Sequence, residues 1–415
     1  MTTIRYTGVR VIDPAQNRDE VTSVVVNAEG QLLFGATADA AQVDQVEAAD
    51  GCWLTPAFVD TCARLREPGP RRHGTIASET RAAHAAGFRH LAVPPDTDPV
   101  IDHAALAQQV IEKADHAGFT KVYPIGALTR ALDGKTLASM GGLKTAGCVG
   151  VGNARRPINN AETTLRCLEY ASSMGLTVFF SPEEPALALG SAHDGFMAAR
   201  LGLTGISDAA ETVALATALI LVEQTGVHAH FGQLSCAASV ELIRIAKDKG
   251  LPVTADVAMH QLHLTEAAID GFNAMAHVRP PLRRESDRLA LIAGVRTGVI
   301  DAICSDHQPL NKAAKLAPFA ETLPGMSTLE TVLPLGLRLV ANGDLSAIEL
   351  VRALTLNPAK VLGISAGDLS LSTAGALLID PELCWTASGD DWLSTGQNSL
   401  YFGRLLQGKV RQHLV

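Results

Sequence analysis

The sequence predicts a closed parallel (β/α)8 barrel with a small β-sandwich formed by both termini. Three observations carry this reading. From Cys52 onward, short apolar runs alternate with longer Ala-rich segments of helical period. Eight such units fit in about 250 residues, the usual size of such a barrel. The first and last fifty residues read instead as short strands broken by turn signals.

The opening strands are Ile4–Ile12, Val21–Asn27 and Gln31–Gly35, separated by Asp-Pro and Glu-Gly turns. The barrel strands are read at Trp53–Asp60, Phe88–Val93, Lys121–Leu128, Cys148–Val151, Thr177–Phe180, Val227–Phe231, Pro252–Val257 and Ile300–Ser305. Helical periodicity falls on Ser78–Ala86, Asp102–Ala117, Ala161–Met174, Ser207–Gln224, Ala237–Lys249 and Glu285–Thr297. The last strands are Ala376–Asp380 and a candidate edge strand at Gly408-Lys409-Val410. The expected division is residues 1–52 with 365–415 for the sandwich and 53–364 for the barrel. A doubly wound open sheet is the competing architecture. It calls for a Gly-rich phosphate loop after an early strand, and no convincing one is present.

The chain has 415 residues, is 47% hydrophobic and carries only 19% charged residues, which supports a large core. A net charge of −9 argues against nucleic acid or an anionic membrane as partner. The seven cysteines form no Cys-x-x-Cys pair, which reads as reduced thiols in a cytoplasmic protein. The N-terminal segment lacks a signal pattern, and no apolar run is long enough for a membrane helix.

Catalysis in such a barrel sits at the C-terminal ends of the strands. The residues there are Asp60, Cys62, Arg64 and Arg66; Asp96; Asn153 and Ala154; Ser181, Glu183 and Glu184; His228, His230 and Gln233; His260 and His263; and Asp306-His307. Around them stand Leu65-Arg66-Glu67-Pro68-Gly69, Thr254-Ala255-Asp256-Val257, Arg279-Pro280-Pro281-Leu282-Arg283, Ser305-Asp306-His307, Leu329-Glu330-Thr331 and Asn357-Pro358-Ala359-Lys360. In this order, nearly end to end, the chain resembles a dihydroorotase of the amidohydrolase superfamily. The resemblance implies a TIM barrel of the amidohydrolase type with a β-sandwich, and a place in pyrimidine biosynthesis.

The family's reaction uses a metal-bound hydroxide, because a metal lowers the pKa of water from near 16 to about 7. Carried over residue by residue, the ligand positions are replaced. The His-x-His of the first strand is Cys62 and Arg64 here. The bridging acidic group falls at Asn153–Ala154, and the histidines of the fifth and sixth strands are Ser181 and Gln233. Arginine does not deprotonate and so repels a cation. The eighth-strand aspartate survives as Asp306, a vestige with no activated water to serve. The substrate clamp keeps Arg66, but its asparagines are Asp96 and Arg279, and a further histidine is Leu310.

The resemblance therefore implies a chain without catalytic residues, metal or cofactor. It also implies a hetero-oligomer with the catalytic chain of aspartate carbamoyltransferase, since chains of this description pair with that enzyme in some bacteria.

Four other readings stand beside it. His228 and His230, at i and i+2, could build a displaced zinc site with Asp306, helped by His260, His263, His307 and Cys62. Against this, both histidines could be hydrogen-bonded packing residues, His260 a remnant of the pocket, and Asp306-His307 a structural pair. Cys62 could be a nucleophile beside Arg64, or a buried inert thiol. Arg64, Arg66, Arg71, Arg72 and His73 could form an anion site or interface, or a solvated loop with Arg64 set against Asp306. A barrel that senses a pyrimidine intermediate would rest on Arg66 alone.

Overall fold

The computed structural model describes residues 3–371 and 375–414. Eight parallel strands pair in sequence order: Phe58–Asp60, Phe88–Val93, Lys121–Ala127, Gly150–Gly152, Thr177–Phe180, Ala229–Phe231, Val253–Ala258 and Ala302–Cys304. They are called first to eighth below. The ring closes beyond the strand ends, where Ala63 and His307 form a parallel bridge and the Arg64 N–H donates to the His307 carbonyl at 2.8 Å. The strands are largely buried on both faces because one face fills the barrel and the other meets the helices.

The helices follow the sequence closely where capping is local. Ala161–Met174 begins at Asn160, whose side chain accepts from the Glu162 and Thr163 N–H groups, and ends at left-handed Gly175. Glu285–Thr297 also matches its predicted span. The helix after the fifth strand, Ala209–Thr225, starts two residues later than its periodicity suggests. Asp208 at its start is drawn into pairs with Arg283 and Arg284.

The Asn357-Pro358-Ala359-Lys360 motif lies in the helix Leu356–Leu362, which plugs the lower end of the barrel. Its Ala359 and Leu362 pack with Val59, Ala92 and Ile125 in one buried cluster. Asn357 Nδ2 donates to the Asp301 carbonyl at 2.8 Å.

Both termini join a seven-stranded sheet in the order Leu405–His413, Ala376–Thr386, Trp53–Pro56, Ile4–Asp13, Arg18–Val26 and Leu32–Phe34, with Gln45–Ala48 paired to Ile4–Asp13. Its inner face collects Tyr6, Val9, Val11, Val24, Leu54 and Leu378. Ile4–Asp13 bulges between Tyr6 and Val9, and Gly8 sits there at φ 70°. The positive φ disfavours a larger residue at Gly8, and a Cβ there would also push the Asp50 side chain aside.

The run Trp53–Asp60, read as one strand, is in fact divided between the two sheets. Trp53–Pro56 pairs antiparallel with Ala376–Ile379 in the terminal sheet, and Phe58–Asp60 opens the barrel. The chain crosses from one sheet to the other at Ala57, whose N–H donates to the Gly375 carbonyl. Hydrophobic periodicity cannot mark this crossing, because both halves are buried.

Candidate functional site

The strand ends meet in two layers. The lower layer is a set of buried acids, each fully engaged. Asp60 accepts from the Ser305 hydroxyl, from the Ser305 N–H at 3.0 Å and from the Cys62 N–H at 3.2 Å. Burial pushes its carboxyl up to about 7 despite these donors. Asp256 accepts from His230 Nε2 at 2.9 Å and from the Gln233 N–H at 2.6 Å, and the Thr61 hydroxyl adds a third donor. Burial works against the Asp256 charge, yet His230 and these donors hold its carboxyl below the ordinary range. Glu79 binds His307 Nε2 at 2.8 Å, and the Ser394 and Thr395 hydroxyls both at 2.6 Å. His307 Nδ1 accepts from the Thr328 N–H at 3.0 Å, so its ring proton sits on Nε2 and points at Glu79.

The upper layer is built around Asp306, which is 1% exposed. Arg155 Nη2 donates to both of its oxygens, at 3.1 and 3.0 Å. Arg64 Nη1 donates to one at 3.3 Å, and Gln308 Nε2 reaches both at 3.2 and 3.3 Å. The other edge of Arg64 binds Asp96, with Nε–Oδ2 at 2.9 Å. Burial opposes the Arg64 charge, but Asp96, Cys62 and Asp306 outweigh it and raise its pKa. The Cys62 sulfur lies 3.8 Å from Arg64 Nη1 and 4.0 Å from Asp306 Oδ1, and burial pushes its thiol well up. A protonated, inert thiol fits that environment better than a nucleophile.

The loops that present these groups are twisted. Arg66, Ala154, Gln233 and Asp306 all take left-handed backbone angles without being glycine, with φ of 61°, 49°, 55° and 43°. Such conformations cost energy and persist where surrounding contacts enforce them. The turn at Ala154 carries the chain from Asn153 to Arg155, whose guanidinium reaches the mouth. Asn153 itself serves the loop, accepting from Thr129 Oγ1 at 2.9 Å and donating to the Arg156 carbonyl at 2.7 Å.

The space left between Cys62, Arg64, Ser181, Gln233 and Asp256 is about 30 Å³, room for a water or two. Small-molecule sites are commonly about 300–1,000 Å³. The donor set does not fit zinc. Arg64 offers only N–H donors, and Cys62 is held as a thiol. Ser181 and Gln233 supply neutral oxygens that already face each other at 3.5 Å. Among the described residues, no group of three or more His, Cys, Asp and Glu side chains is arranged to hold a metal ion.

The displaced site is not assembled either. His228 is exposed and precedes the sixth strand, away from the mouth. His230 uses both ring nitrogens, on Asp256 and on Thr254 Oγ1 at 2.9 Å. Asp306 is taken by the two arginines. His263 Nε2 meets the Leu335 carbonyl at 3.0 Å. His260 is buried with neither ring nitrogen hydrogen-bonded to protein, and burial lowers its pKa to about 4.

The substrate-clamp positions do not converge. Arg66 Nε donates to the Pro309 carbonyl at 3.0 Å, and burial followed by the nearby Arg64 charge lowers its pKa to about 10. Asp96 is turned to Arg64. Arg279 grips Glu183 with two bonds of 2.6 and 2.9 Å and also donates to the Ala188 carbonyl. Leu310 is buried, its N–H held by Asn398 at 2.8 Å. In the cationic loop, Arg71 pairs with Glu67, and His73 Nδ1 accepts from the Asn311 N–H. Arg155 and Glu79 escaped the sequence reading. An arginine two residues past a strand-end asparagine was the available signal for the first. Nothing local marks the second.

A barrel of this closure, with a terminal sheet and strand-end acids, defines an amidohydrolase-type protein. Residues 97–371 match the Amidohydrolase family. A dihydroorotase-like protein of Pseudomonas putida is 46% identical over all 415 residues and 98% of its own length. One from Pseudomonas aeruginosa is 45% identical with the same coverage. A dihydroorotase of Geobacter sp. is 39% identical over 97% of this chain and 95% of its own. Among solved structures, an L-hydantoinase (dihydropyrimidinase) from Arthrobacter aurescens superposes with a TM-score of 0.87. It covers 100% of this chain and 94% of its own at 20% identity, a likeness of fold alone. The chain belongs to the amidohydrolase family and, within it, to the dihydroorotase-like proteins.

Proposed function

We propose that this chain is a non-catalytic dihydroorotase-like protein, a structural subunit that supports the assembly of aspartate carbamoyltransferase in the cytoplasm. One observation carries the non-catalytic part of the reading. Two guanidinium groups bind Asp306, the acid that a metal and its water would use. The groups that face the 30 Å³ space are otherwise engaged: Asp256 accepts from Thr61, His230 and Gln233, and Cys62 is held as a thiol. The partner is inferred from the resemblance to chains that pair with the transferase. The mechanism is linkage: a rigid barrel that binds only the assembled transferase stabilises it by about 2.7 kcal/mol at a concentration 100 times its Kd.

Two measurements test this. Elemental analysis after dialysis against zinc is expected to find less than about a tenth of an equivalent bound. One or two equivalents, lost on His230→Ala or Asp306→Ala, would restore the reading as an active cyclic amidohydrolase. Deleting the gene is expected to shrink or destabilise the transferase while dihydroorotase activity persists. A transferase of unchanged size and stability would remove the proposed partner.

A further inference from the structure

At the lower end of the barrel, opposite the mouth, lies a cavity of about 920 Å³. It opens where the second and third strands begin and where the helices Ile76–Ala85 and Ala104–Ala117 end, beside Ile364 just past the plugging helix. It shares no lining residue with the space at the mouth. The strand pattern explains why it is polar. Alternate side chains of a strand share a face. Val59, Ala92 and Ile125 fill the lower barrel against the plugging helix. Two residues before Ala92 and Ile125 stand His90 and Tyr123, and two before Tyr123 stands Lys121. His90 Nδ1 and Tyr123 Oη lie 3.0 Å apart. His90 is 6% exposed, and its Nε2 is buried without a hydrogen-bond partner. Few buried polar atoms in native proteins stay unpaired, so this one calls for a partner.

Two cations serve the same space. Arg89 and Lys121 both line it. Burial first, and then these two charges, lower the His90 pKa to about 4, so the ring is neutral. Lys121 is exposed, and its Nζ rests over the Tyr123 ring, 5.6 Å from the centroid. Asp115 lines the cavity from the end of helix Ala104–Ala117. Burial raises the Tyr123 pKa to about 12, with Arg89 opposing and Asp115 assisting, so the hydroxyl keeps its proton. Phe119, 40% exposed, adds an open aromatic face.

Each group selects a piece of a ligand. Two cations suit a phosphate. Phe119 and Tyr123 suit a flat ring. Asp115 suits an N–H donor and repels a second anion. An inorganic anion uses the cations alone. A nucleotide whose base carries an exocyclic amine uses all three, and the volume lies in the usual range of about 300–1,000 Å³ for small-molecule sites. We propose that this lower cavity binds a nucleoside monophosphate, with its phosphate at Arg89 and Lys121, its base against Phe119 and Tyr123, and its amine on Asp115. The site stands apart from the mouth and from any partner chain, so it works in the isolated protein.

The test is isothermal titration calorimetry of the full chain with cytidine monophosphate, adenosine monophosphate and inorganic phosphate. At least one nucleotide is expected to bind with a Kd of about 100 µM or tighter, and phosphate at least about tenfold more weakly. Lys121→Glu and Phe119→Ala, both at exposed positions, are each expected to weaken the nucleotide about tenfold with unchanged circular dichroism. Should one of them fail to fold, the other decides. Arg66→Gln, at the mouth, is expected to change nothing. Absence of binding by both nucleotides overturns the proposal, as does inorganic phosphate that binds as tightly as either. So does binding that survives Lys121→Glu and Phe119→Ala, or binding that Arg66→Gln removes, which would put the nucleotide at the mouth.

Discussion

The two layers at the barrel mouth both hold buried acids and satisfy them with different donors. The lower layer holds Asp60, Asp256 and Glu79, each tied to hydroxyls, amides or an imidazole. The upper layer holds Asp306 between Arg64 and Arg155. In the lower layer the donors are neutral groups, apart from whatever proton His230 and His307 share with their acids. In the upper layer two of the donors, Arg64 and Arg155, are permanent cations, with Gln308 as a neutral third. The comparison teaches that one barrel mouth can satisfy its buried acids in two ways, mostly with neutral donors below and with guanidinium groups above. A covalently attached guanidinium cannot dissociate, exchange or activate water.

The largest expected effect tests the lower layer. Glu79→Ala strands His307, Ser394 and Thr395 in a buried place and should cost about 4 kcal/mol in urea unfolding. A loss near 1 kcal/mol would mean that this layer is not the support it resembles.

A smaller effect is expected above. Arg64→Met and Asp306→Leu should each cost about 3 kcal/mol, because each leaves two charges short of a partner. The double variant should cost less than the sum, since an apolar pair can replace an ion pair. Strict additivity would show that Arg64 and Asp306 do not act as a unit.

The smallest effect per group is pH dependence. His90, His260, His263, His277 and His413 are lowered by burial to about 4. Each takes up a proton on unfolding between about pH 4 and 6.5. Asp60 and Glu330, raised by burial to about 7, each release one over the same interval. Five groups outweigh two, so the unfolded state binds more protons and stability should rise from about pH 4.5 to 6.5. Urea midpoints at three pH values check this, and a falling midpoint would show that the buried acids dominate.

Much of the site was legible before the fold. Cys62, Arg64, Ser181 and Gln233 read by residue type alone as a poor donor set for a metal, because no packing makes an arginine a metal ligand. The clamp positions Asp96 and Arg279 were equally readable as misfits. Their new partners were not. Asp96 turned to Arg64, and Arg279 to Glu183, by contacts across 32 and 96 residues. His228 looked like a strand partner of His230 until the sixth strand was seen to begin at Ala229.

The sequence by itself determined the number and order of the barrel strands, the helix between Asn160 and Gly175, and the chemical types of the side chains at the strand ends. Those follow from local period, local caps and side-chain chemistry, which need no knowledge of distant residues. Only the tertiary structure decided that Trp53–Pro56 leaves the barrel for the terminal sheet, that Arg155 swings over Ala154 onto Asp306, and that Glu79 holds His307 across 228 residues. The reason is physical. A buried polar group must find its partner in space, and the choice among partners is made when the ring of strands closes.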